Sequence, residues 1–155
     1  GSEMCIRDRK GVYMMKQYNR VCARIDLDAI EYNMEMMHKN TREGVSMISV
    51  IKTDGYGHGA VQIARMLEPK DYIWGYAVAT LDEAVVLRKR GIKKPILVLG
   101  CIFPDQWEAA ITHEIRFTVY TPKRWRKGSA SWQGNLAKTL MCISSWTREC
   151  PGLAF

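Results

Sequence analysis

The sequence predicts an α/β fold built on a parallel sheet, and two observations carry that expectation. From residue 14 to residue 122, short apolar runs alternate with segments of helical periodicity, as in repeated βαβ units. The runs are apolar nearly throughout, as strands are when helices cover the sheet. Two architectures satisfy the pattern: an open doubly wound sheet, or part of a (β/α)8 barrel. At 155 residues the chain is about half the length of a closed barrel. In both architectures chemistry belongs at the carboxyl ends of the strands.

The elements follow in order. Residues 21–27 alternate and are β-branched enough for a strand. Asp28 suits an N-cap for a helix over residues 29–39, with Ile30, Met34 and Met37 on one side. Residues 47–51 form an apolar strand interrupted only by Ser49, and residues 59–67 a helix with Val61, Ala64 and Leu67 at helical spacing. Residues 75–79 read as a buried strand. Thr80 and Glu83 then form a capping box, ahead of an apolar stripe of Leu81, Ala84 and Val85 that Gly91 ends. A strand over residues 96–99 lies between Pro95 and Gly100. A short helix over residues 104–112 and a strand over residues 115–120 complete the pattern.

Both ends fall outside it. Residues 1–13 show no periodicity and resemble a non-native leader, with Met14 or Met15 a plausible native start. Residues 123–155 lose the apolar stripe and hold Trp125, Trp132 and Trp146, three of the five tryptophans.

The net charge of +7 raises the question of nucleic-acid binding, but its distribution argues against it. Residues 123–155 carry +5 and residues 1–10 carry +1, leaving +1 for residues 11–122. Five cysteines at irregular spacings, with no C-x-x-C, suit a reducing, cytoplasmic compartment better than a disulfide framework. No apolar run is long enough to span a bilayer, so no membrane association is expected. No second histidine or cysteine stands at ligand spacing from His58, so no metal site is expected.

One stretch carries chemistry. At residues 45–59 an apolar run ends in Lys52, and a turn with Gly55, Tyr56, Gly57, His58 and Gly59 follows. A lysine held at the end of an apolar strand can lose its proton and act as a nucleophile. Such a lysine is the usual anchor for an aldehyde cofactor. The glycines allow a tight turn and close approach of a ligand, and a helix opening at Gly59 would favour an anion such as a phosphate. A solvated loop lysine is the competing reading for Lys52. A hydrogen-bonded structural role is favoured for His58, and His38 and His113 read as helix-surface residues. The spacing of Gly55, Gly57 and Gly59 is not the dinucleotide fingerprint. The basic run at Arg88, Lys89, Arg90, Lys93 and Lys94 reads as a solvated helix end.

These residues resemble a known family. Ile25-Asp26-Leu27-Asp28-Ala29-Ile30 with Asn33 resembles the opening of bacterial alanine racemase, and Val50-Ile51-Lys52 with Tyr56-Gly57-His58-Gly59 resembles its cofactor-lysine signature. Ala77-Val78-Ala79 with Leu81-Asp82-Glu83-Ala84, and Pro95 to Gly100, resemble its next barrel strands. The likeness covers roughly residues 18–122. It implies the N-terminal half of a (β/α)8 TIM-type barrel over residues 14–122, with pyridoxal 5'-phosphate held by Lys52 as a Schiff base. It also implies that Lys52 is one of two bases at the α-carbon, that Tyr56 contacts the cofactor phosphate, and that Leu99 lines the cofactor pocket. The activity implied is interconversion of L- and D-alanine for cell-wall synthesis, in a homodimer when full-length. The second base of the family, a tyrosine, would lie beyond Phe155, so this chain alone is expected to be inactive. Related readings are a serine racemase, an amino-acid decarboxylase on the same barrel, or a non-catalytic protein that binds the cofactor.

The resemblance stops after Pro122, and a frameshift would explain why. Read one nucleotide back, residues 123–155 can encode an amphipathic helix and then Lys-Leu-Asp-Thr-Gly-Met-Ser-Arg-Leu-Gly-Phe, which resembles the family's next barrel motif. Trp146 followed by Thr147 forces the aspartate of that string, because tryptophan has one codon. In the frame as it stands, Ser145 and Gly152 occupy the places of the lysine and arginine that the motif would set beside the cofactor.

Overall fold

The structure is a computed structural model that describes residues 5–7, 23–118 and 153–154. The leader reading, the possible starts at Met14 and Met15, and nearly all of residues 123–155, including Ser145 and Gly152, lie outside the described residues. Strand β1 (Cys5–Arg7) pairs in parallel with β2 (Arg24–Asp26) in a two-stranded sheet. A five-stranded sheet has the order β6 (Arg116–Phe117), β5 (Ile96–Val98), β4 (Ile73–Val78), β3 (Ser46–Val50), β7 (Leu153–Ala154), and every pairing in it is parallel.

Strands β3 to β6 stand side by side in chain order, each joined to the next through helix. A doubly wound sheet reverses its strand order at a switch point. Strands β3 to β6 show no reversal among themselves, as in an arc of a (β/α) barrel, and only the two-residue β7 beside β3 departs from chain order. One expectation changes. The first strand read in the sequence shortens to β2 and leaves the main sheet, where the free edge of β3 is taken by β7. Ile25 and Leu27 still join the core.

Helix α1 (Leu27–Lys39) is capped by Asp26, whose carboxylate accepts the N–H groups of Asp28 (3.0 Å) and Ala29 (3.2 Å). The cap therefore lies two residues before the expected one at Asp28, which sits in the first turn. Helix α3 (Ala60–Leu67) presents Ile63, Ala64 and Leu67 to the sheet, and α4 (Leu81–Lys89) presents Leu81, Ala84 and Leu87. The capping box at Thr80 and Glu83 is present. Between β5 and β6 the expected helix divides into a 3-10 turn (Pro104–Gln106) and α5 (Trp107–Thr112). Among the described residues no helix is long and apolar enough to cross a membrane.

The two faces of the sheet differ. Met47, Ile51, Ile73, Tyr76, Val78, Ile96, Val98 and Phe117 meet the helices in one large core. Ile48 and Ala77 form a smaller cluster on the inner face, with Val50, Trp74 and Leu99 against it. The Arg116 guanidinium lies 4.7 Å from the centroid of the Trp74 ring.

The amino-terminal ends of the strands are held by charged side chains on backbone. Arg88 donates to the carbonyls of Ile92 and Lys94 (both 2.8 Å), His113 (3.0 Å) and Glu114 (3.1 Å), and its burial lowers the guanidinium pKa. Glu68 accepts from the N–H groups of Lys93 (2.8 Å) and Lys94 (2.9 Å), and the Lys94 ammonium reaches the carbonyls of Lys70 and Ile73. The basic run is thus in part structural: Arg88 and Lys94 are half-buried and committed, whereas Lys89, Arg90 and Lys93 remain exposed. His38 likewise leaves the surface reading, stacked on Tyr72 at 4.3 Å between ring centroids.

Tyr76 is fully buried, with its hydroxyl 2.8 Å from the Ala64 carbonyl and 3.0 Å from the Glu68 carboxylate. Burial first, and the Glu68 charge second, push its phenol well above the ordinary range. The native chain therefore keeps a proton that the unfolded chain loses. This contribution to stability is complete below about pH 10, the ordinary tyrosine value, and is lost as pH rises beyond it. Tyr76→Phe is expected to lower stability by about 1–2 kcal/mol at neutral pH and to flatten the decline in melting temperature above about pH 10. A decline equally steep in both proteins would contradict this assignment.

Candidate functional site

The site begins where β3 ends. Met47 and Ile51 point to the helix-side core and Ile48 and Val50 to the inner face. Ile51 (φ −123, ψ 27) leaves the extended backbone, and Lys52 follows it, half-buried, just past the carboxyl end of the strand. The Ile51 N–H still donates to the Ala77 carbonyl at 2.9 Å, so the sheet holds the backbone up to the residue before the lysine.

The chain then makes a single left-handed turn, α2 (Lys52–Tyr56), which the sequence did not predict as an element. Thr53 (φ 56, ψ 48), Asp54 (φ 52, ψ 46) and Gly55 (φ 62, ψ 37) are all left-handed, and Tyr56 (φ 55) and Gly57 (φ 82) continue the run of positive φ. Gly55 N–H donates to Ile51 O at 2.9 Å and Gly57 N–H to Thr53 O at 3.1 Å. Left-handed helical backbone costs roughly 1–2 kcal/mol per non-glycine residue. A β-branched residue such as Thr53 is least suited to it.

Side chains hold the turn in place. The Glu83 carboxylate accepts the Thr53 N–H at 2.8 Å, and the Asp54 carboxylate accepts the Ala60 N–H at 2.9 Å, where α3 begins. His58 Nδ1 lies 3.0 Å from Gly55 O and 3.2 Å from Tyr56 O. Carbonyls only accept, so Nδ1 carries a hydrogen and His58 braces the turn, the structural role favoured for it. At the start of α3, where an anion was expected to be favoured, the first N–H is engaged by the Asp54 carboxylate. Sequence reasoning missed the links from Glu83 and Asp54. The capping box marked Glu83 only as a partner of its own helix.

Of the three residues singled out for cofactor binding, Lys52 and Tyr56 share the turn. Lys52 Nζ lies 5.9 Å from the centroid of the Tyr56 ring, which is 59% exposed. Leu99 follows β5 and packs on the Ile48–Ala77 cluster, beside which Val50 also lies, two residues before Lys52. An amine just past the strand end, a phenol-bearing ring in the same turn and an apolar cluster reached by Val50 two residues earlier suit a planar aromatic aldehyde, with the amine for its carbonyl and the apolar side chains for its ring.

Gly55 is buried, and a Cβ there would lie 3.0 Å from Ile63 Cδ1 and 3.3 Å from Ala60 N. At Gly57 a Cβ would meet nothing within 4 Å. Gly55→Ala is expected to cost about 2–3 kcal/mol, from the left-handed backbone and the contact together, and Gly57→Ala about 1 kcal/mol from the backbone alone. Chemical denaturation of the two variants checks this; equal losses would contradict the packing of Gly55 on α3.

Comparison with known proteins places the chain. The family described as "Alanine racemase, N-terminal domain" matches residues 25–144. Alanine racemase of Streptococcus pyogenes is 42% identical over 107 residues, covering 68% of this chain and 29% of that protein. The chain thus aligns with less than a third of the length of such relatives. The solved alanine racemase of Enterococcus faecalis superposes with a TM-score of 0.65 at 34% identity, over 69% of this chain and 29% of that one. A Clostridium difficile alanine racemase complexed with cycloserine gives 0.65 at 36% identity, over 68% and 28%. A histidine racemase of Leuconostoc mesenteroides gives 0.62 at 25% identity, over 70% and 28%. The family uses pyridoxal 5'-phosphate and its members are isomerases. By this match, and by parallel strands alternating with helices, the chain belongs to the alanine racemase family.

Proposed function

We propose that this chain is the N-terminal part of a pyridoxal-phosphate-dependent alanine racemase, with Lys52 as the residue that holds the cofactor. The observation that carries the reading is the placement of Lys52, half-buried just past the carboxyl end of β3, beyond a sheet held up to Ile51. When bound, the cofactor supplies an electron sink for negative charge at the α-carbon of an amino acid. The protein's part is to place proton donors and acceptors at that carbon. Lys52 Nζ anchors the cofactor and then moves a proton on one face of the substrate. Tyr56 offers its hydroxyl to the phosphate, and Leu99 with Val50 and Ala77 keeps water from the ring. Racemisation needs a second base on the opposite face, and none of the described residues is assigned to it.

Alanine is the proposed substrate because relatives up to 42% identical are named for it. The histidine racemase neighbour makes histidine the useful comparison in an assay. The scattered cysteines support a cytoplasmic location.

The test is spectroscopic. Added pyridoxal 5'-phosphate is expected to give this chain a protein-bound visible band that Lys52→Ala loses, with at least about a tenfold fall in apparent affinity for the cofactor. A band of equal intensity in Lys52→Ala would overturn the assignment of the anchor.

A further inference from the structure

The turn that carries Lys52 is tied to the next βα unit by one carboxylate. Glu83 Oε1 accepts the Thr53 N–H at 2.8 Å, while Oε2 accepts the N–H groups of Ala79 (2.8 Å) and Thr80 (3.4 Å). Thr80 Oγ1 in turn accepts the Glu83 N–H at 3.4 Å. A capping box needs only the exchange between Thr80 and Glu83. The bond to Thr53, thirty residues away in the chain, adds nothing to the start of α4. It does act on the peptide that follows Lys52, at a β-branched residue with φ 56. A residue in so sparsely populated a conformation persists only where its surroundings over-determine it. Release of its N–H would let Thr53 return to negative φ and would re-aim the lysine before it.

We infer that Glu83 is a positioning residue for Lys52. It locks Thr53 in the left-handed conformation and so fixes the peptide that follows Lys52 and, with it, the direction of the lysine. What Lys52 reacts with rests on the function proposed above; the hold of Glu83 on the turn does not.

The experiment compares Glu83→Ala and Glu83→Gln with Thr80→Ala in the full 155-residue chain. Thr80→Ala removes the cap hydroxyl of α4 but leaves the link to Thr53, so it controls for weakening of the helix. Two quantities are read: amide hydrogen exchange at Thr53 without cofactor, and the rate at which borohydride fixes added pyridoxal 5'-phosphate on Lys52. Loss of a charge-assisted bond is expected to speed Thr53 exchange, and to slow fixation on Lys52, by about tenfold or more in Glu83→Ala. Glu83→Gln keeps the size of the side chain and one acceptor oxygen, and is expected to shift both in the same direction by less. It keeps the test open if Glu83→Ala does not fold. Thr80→Ala is expected to change either quantity by no more than about twofold, whatever its effect on melting temperature. Wild-type exchange at Thr53 in a folded Glu83 variant, or equal losses in Thr80→Ala, would overturn the inference. Absence of fixation on Lys52 in the unaltered chain would sink the cofactor reading instead, and the inference would then be decided by Thr53 exchange alone.

Discussion

The left-handed turn after β3 is the constraint on which the rest of the site depends. Thr53, Asp54 and Tyr56 adopt backbone that disfavours each by roughly 1–2 kcal/mol, about 3–6 kcal/mol in all. Two charge-assisted bonds, from Thr53 N–H to Glu83 and from Ala60 N–H to Asp54, contribute about 1.5–3 kcal/mol each. The strain and its restraints are therefore of the same size. The direction of Lys52 is therefore set by contacts of the turn with α3 and α4 as well as by the strand that leads into it.

The sheet divides the labour between its two ends. At the amino ends, Arg88, Glu68 and Lys94 satisfy loop carbonyls and N–H groups, and Lys70 pairs with Glu31 (2.6 Å) and Glu35 (2.8 Å) of α1. These contacts fix where the strands begin. At the carboxyl ends the same strands deliver Lys52 and Leu99, and a rigid base leaves that rim available to carry strain. In a (β/α) barrel this is the usual separation between stability and chemistry.

Much of this was legible in the sequence. The alternation of buried runs with helical stripes located β3 to β6 and α3 to α5 because both patterns are local. The capping box at Thr80 and Glu83 was legible for the same reason. The start of α1 was harder to read, since Asp26 and Asp28 are both good caps and only the geometry shows that the Asp26 carboxylate takes the two N–H groups. The left-handed turn was hidden, because a threonine at its second position argues against positive φ. The reach of Glu83 to Thr53, 30 residues away, and of Arg88 to His113 and Glu114, 25 and 26 away, were hidden too, since no local pattern encodes such contacts. The departure of β2 from the main sheet is likewise a matter of pairing between strands, to which composition is blind.

The most direct measurement is a crystal structure of the chain grown with pyridoxal 5'-phosphate. The account predicts continuous density from Lys52 Nζ to the cofactor, a ring lying over Val50 and Leu99, and positive φ at Thr53. A cofactor bound elsewhere, or Lys52 turned to the helix side of the sheet with Thr53 at negative φ, would contradict it.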